Sequence, residues 1–151
     1  MNPALQDIIQ REIVVKAPKQ RVYTAITDPK QIIAWFPDSV EGSLEVGERP
    51  LFTFEGHGTV QLYVVDAKPY DYFAYRWIPG AGSEDFRGDV RTVPNTLVEF
   101  RIEEISEGTK VTLTESGFSS LPSDVAEQKF KDNSGGWEYM MDRLEKVLAE
   151  K

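Results

Sequence analysis

The C-terminal stretch constrains the fold more than any other part of the chain. From about Ser123 to Glu150 the residues follow one helical pattern, long enough to lie across a whole sheet. Trp137, Met141, Leu144 and Leu148 recur at i, i+4, i+7 and i+11, with Met140 and Val147 beside them. That spacing makes one apolar stripe, which needs another apolar face to cover it. Glu138, Asp142 and Glu145, with Arg143 and Lys146 nearby, suit a charged outer face with local pairs. Gly135 and Gly136 interrupt the pattern, each at a cost of roughly 1 kcal/mol relative to alanine. With Ser134 they mark a place where a helix kinks or approaches its neighbour closely. A helix bent or broken near residues 133–136 is therefore expected, with Trp137 turned inward. A bulky residue at Gly136 is expected to destabilise it.

Strands supply the face that this helix needs. Residues 7–17 are rich in Ile and Val and read as a first strand. Pro18 opens a helix with Val22, Ala25 and Ile26 at helical spacing, and Asp28 is placed to cap a second short helix, "PKQIIAWF", ended by Pro37. Then alternation takes over. Phe52 and Phe54, then Val60, Leu62 and Val64, then Phe73, Tyr75 and Trp77 each fall on one face of a strand. Val98, Phe100 and Ile102 alternate up to a turn at Glu107-Gly108, and Val111 and Leu113 resume beyond it. Strands with segregated helices make an α+β domain with an antiparallel sheet wet on one face.

Composition removes several functions. A net charge of −8 with no basic cluster argues against nucleic acid as a partner. No run approaches the ~20 apolar residues that span a bilayer, so no membrane insertion is expected. The first residues lack a signal-peptide layout, and there is no cysteine, so a cytoplasmic single domain over residues 1–151 is the expectation. His57, the sole histidine, sits in the turn "EGHGTV" without partners for a zinc site or a catalytic triad. No metal, cofactor or catalytic residue is expected. Glu103, Glu104, Glu107 and Glu115 read as solvated surface, while residues 80–95 read as a long charged loop, a plain flexible hairpin connection in preference to a lid, with Phe86 the residue that would fold over a cavity.

Several spaced motifs resemble one family. "PKQRVYTAITDPKQIIAWF", "VDAKPYDYFAYRW", "GTKVTLTESGF" and "GGWEYMMDRLEKVL" look like the homologues of the activator of heat-shock-protein-90 ATPase, across residues 11–148. These belong to the START-like (SRPBCC, birch-pollen-allergen-like) superfamily. The resemblance implies a helix-grip fold, a curved antiparallel sheet around the C-terminal helix with a hydrophobic cavity between them. It also implies binding of lipids, polyketides or flavonoids, with cyclases and hydrolases as a minority and a co-chaperone role as a further alternative. No shared catalytic motif comes with it. On this chain the lining would come from Phe52, Phe54, Tyr75, Trp77 and Phe100 on the sheet. Trp137, Met141 and Leu144 would line it from the helix, and Trp35 and Phe36 would close one end. A filled core is the alternative for the same residues. Tyr63, Tyr75 and Arg76 are candidate polar groups, Arg76 on the face opposite Tyr75.

Overall fold

The computed structural model describes residues 7–56, 58–78 and 88–149. Strand β1 (Ile8–Val15) is followed by helices α1 (Lys19–Thr27) and α2 (Pro29–Ile32). Seven strands come next: β2 (Ser39–Glu41), β3 (Leu51–Phe54), β4 (Gly58–Gln61), β5 (Tyr63–Lys68), β6 (Tyr72–Trp77), β7 (Thr96–Ile105) and β8 (Gly108–Ser116). Helix α3 (Ser123–Ala149) closes the fold, and short 3-10 turns lie at Val90–Thr92 and Phe118–Ser120.

Alternation sorts these strands as expected. The five-stranded sheet runs β1-β8-β7-β6-β5, antiparallel throughout, and its inward rows can be read off the register. Phe100 pairs with Phe73 on one side and Leu113 on the other, and all three are fully buried. A second sheet, β2-β3-β4, carries Phe52 inward. Alternation alone did not separate it from the first. The boundary falls at Leu62, between β4 and β5: its N–H still donates to the Pro50 carbonyl at 2.9 Å, in the register of β3 with β4, while β5 beyond it pairs with β6.

The first helices are close to expectation. Asp28 caps α2 by accepting from the Lys30 N–H at 2.9 Å. The expected run to residue 36 stops at Ile32, after which hydrogen-bonded turns carry the chain to Phe36. Pro37 disfavours helical backbone at Phe36. The turns also place the Trp35 indole N–H 2.9 Å from the Ala25 carbonyl, which satisfies a fully buried donor. One glycine is indispensable to the sheet. Gly108 turns β7 into β8 at φ +143°, and a Cβ there would lie 2.2 Å from the Val15 carbonyl oxygen.

Helix α3 corrects the expectation of a break at the glycines. It runs unbroken through Gly135 and Gly136, and a Cβ at either position would meet nothing within 4 Å. The glycines are neither a break nor a close approach. Tertiary contacts hold the weak turn instead. Trp137, Met141, Leu144 and Leu148 are buried against the core. Arg11 on β1 donates to the Ser134 carbonyl and to its hydroxyl, at 3.2 and 2.6 Å. The charged outer face is as read from the sequence, with Lys146 and Asp142 2.9 Å apart.

Candidate ligand site

Phe36 gathers the aromatic side chains. It leaves α2 on a short turn and projects between the second sheet and α3. Its ring centroid lies 5.6 Å from Phe52, 5.4 Å from Phe54, 5.9 Å from Trp77 and 5.1 Å from Trp137. These are spacings of rings in direct contact. The same contact network continues inward, with Trp77 5.3 Å from Tyr75 and Phe100 6.0 Å from Trp137. Trp35, Phe52, Tyr75, Phe100, Met141 and Leu144 are buried in this packed interior.

The other four expected residues meet solvent space. Phe36, Phe54, Trp77 and Trp137 line an open recess of about 250 Å³, together with Asn133, Gly136 and Met140 of α3. Larger hollows of about 530, 540 and 590 Å³ lie elsewhere on the surface, yet none is lined by more than one aromatic side chain. Gly136 has its place here. Lacking a side chain, it leaves the helix edge of the recess clear.

Under the recess lies a residue that sequence reading misplaced. Glu115 is fully buried, not solvated. Its register neighbours across the sheet are Ile9 and Val98, and beyond Val98 comes Tyr75. One oxygen accepts from the Trp137 indole N–H at 2.7 Å and the Asn133 amide at 2.9 Å. The other accepts from the Trp77 indole N–H at 2.9 Å, the Thr96 hydroxyl and the Asn133 amide at 3.1 Å. Every contact donates to it, the pattern an ionised carboxylate takes. The signal for this was parity: Val111, Leu113 and Glu115 share one face of β8.

Tyr75 is the reverse case. Its hydroxyl is buried with no hydrogen-bond partner. Burial, and then the charge of Glu115, push its phenol well above the ordinary value. Arg76 points away as alternation requires and donates to Asn95 at 2.9 Å, while Tyr63 lies under the Arg91 guanidinium, 3.8 Å from its ring. Glu103 and Glu104 are exposed. His57 and Phe86 lie outside the described residues. Among the described residues no three His, Cys, Asp or Glu side chains are grouped to hold a metal ion, and no helix is long and apolar enough to cross a membrane.

Residues 16–149 match the family model described as activator of Hsp90 ATPase homolog 1-like protein. The chain belongs to this family. Solved structures share its fold. Protein MLL2253 from Mesorhizobium loti is 20% identical, with a TM-score of 0.75 over 93% of this chain and 96% of that one. The Aha1 dimer from Colwellia psychrerythraea is 19% identical, with a TM-score of 0.72 over 95% and 97% of the two chains. DynU16, a putative protein in the dynemicin biosynthetic locus, is 23% identical, with a TM-score of 0.74 over 95% of this chain and 47% of that one. At such identities the likeness is one of fold, the α+β helix-grip arrangement of a sheet and a long C-terminal helix. No curated protein matches the chain in sequence.

Proposed function

We propose that the chain binds a small apolar or aromatic molecule, of the lipid, polyketide or flavonoid kind, in the recess between α3 and the sheets. The observation that carries this is the lining: four aromatic rings and Met140 around about 250 Å³ of open space. Such walls suit apolar ligands, since rings supply area and methionine adapts its shape. The dynemicin-locus neighbour is in keeping with a small-molecule role. Binding is favoured over catalysis because both oxygens of Glu115 are taken up by four donors, which leaves it no free lone pair aimed at a substrate.

Trp77 and Trp137 both border the recess, so binding is expected to change intrinsic fluorescence. Titration with a flavonoid, an aromatic polyketide and a fatty acid, alongside thermal shift, tests the reading. Saturable quenching with a rise in melting temperature for at least one class is expected. A flat response to all three overturns it.

A further inference from the structure

We infer that the recess selects organic cations, an amine or quaternary ammonium group carried on an apolar or aromatic body. This inference rests on the proposed binding role and names the ligand class for the same site.

Three observations converge. The first is the buried charge. Glu115 sits in the apolar interior with four neutral donors, and among the described residues no lysine or arginine pairs with it. Arg11, the cation that reaches α3 from β1, is bonded to Ser134. Arg76 is bonded to Asn95. Buried charges in proteins are ordinarily paired, and no described residue supplies the positive partner.

The second is how that charge communicates with the recess. Trp77 and Trp137 line the recess and give their indole N–H groups to the Glu115 carboxylate. A charge-assisted hydrogen bond from the indole N–H shifts electron density into the ring. Tryptophan is already the best partner for a cation, and an anion on its N–H makes its π system a better one.

The third is what the recess lacks. Among the described residues its one polar lining side chain besides the tryptophans, Asn133, turns its amide N–H groups to Glu115. The lining therefore keeps no side-chain N–H for an anion or a ligand carbonyl, and an anion also meets the field of Glu115. An organic cation gains burial, ring attraction and that field together. The net charge of −8 also favours its approach.

The test compares phenyltrimethylammonium with tert-butylbenzene, which share shape and differ in charge. Binding is followed by the indole N–H signals in proton–nitrogen NMR spectra of the whole chain. The cation is expected to bind at least about tenfold more tightly. It should move the Trp77 and Trp137 signals more than that of Trp35, whose N–H is held by Ala25. Glu115→Gln keeps the shape and removes the charge, so a folded variant should bring the two affinities close to parity. If that variant does not fold, the wild-type pair decides alone. Equal or tighter binding of tert-butylbenzene overturns the cation inference and leaves the binding role standing. A folded Glu115→Gln that keeps the preference also overturns it. No indole shift with either probe overturns the cation inference, and the titration with a flavonoid, a polyketide and a fatty acid then decides the binding role.

Discussion

The Tyr75 hydroxyl lies within 1% exposure and has no hydrogen-bond partner, which makes it a cost to the folded state. A buried hydroxyl without a partner loses roughly 1–3 kcal/mol of hydration. Tyr75→Phe removes that group while keeping the ring contacts with Phe52, Phe73 and Trp77. The variant is expected to be more stable by about 1 kcal/mol in urea unfolding, and a loss of stability would show that the hydroxyl has a role in the core. Glu115 shows how far single residues could be read in advance. Its inward position followed from the parity of Val111 and Leu113, but charge favoured the solvated reading. What reversed it was the convergence of Trp77, Thr96, Asn133 and Trp137, which come from three different elements. No local pattern encodes such a meeting.

Elements were more legible than residues, because periodicity is local. The stripe on α3 and the alternation in β6, β7 and β8 translate directly into buried faces. The division into two sheets was not legible, since Val60, Leu62 and Val64 form one continuous alternation and only the partner strands, β3 for β4 and β6 for β5, separate the two. Nor was the continuity of α3. Propensity argues for a break at Gly135-Gly136, and propensity is overridden here by hydrogen bonds to Ser134 and Asn133 and by the burial of Trp137. Since a Cβ at Gly136 would meet nothing within 4 Å, Gly136→Ala is expected to stabilise the domain by about 0.5–1 kcal/mol. Gly136→Leu is a different experiment on the same position. Its side chain would stand at the recess, so probe affinity should fall about tenfold or more while the melting temperature holds. Thermal unfolding and the fluorescence titration read the two effects separately, and a sharp loss of stability in Gly136→Ala would restore the close-approach reading.

At the scale of the whole molecule, the N-terminal segment is tied to the C-terminal one by polar contacts across more than a hundred residues of chain. Arg21 donates to the carbonyls of Val147 and Leu148 at the end of α3, and Arg11 grips its middle. Asp7 accepts from the Gly117 and Ser119 N–H groups, at 3.3 and 2.9 Å, where β8 hands over to α3. Strand β1 is an edge strand, hydrogen-bonded within its sheet to β8 alone, so these ties fix its start, its middle and the following helix α1 to the C-terminal segment. The hydrogen bonds from Ser119, then its side chain, and that from Gly117 hold the Asp7 carboxyl below its ordinary value of 3.8, against the opposing effect of burial. Because the folded value is the lower one, the contribution is complete above the unfolded value near ~3.9 and fades as pH falls through the folded value. Asp7→Ala should therefore be less stable than wild type at neutral pH, by about 1 kcal/mol or less. The gap should close as the solution is acidified through the lowered folded value. Urea unfolding of both proteins across that range checks the sign, and a gap that is constant with pH would mean that Asp7 stabilises the junction through packing rather than through its charge.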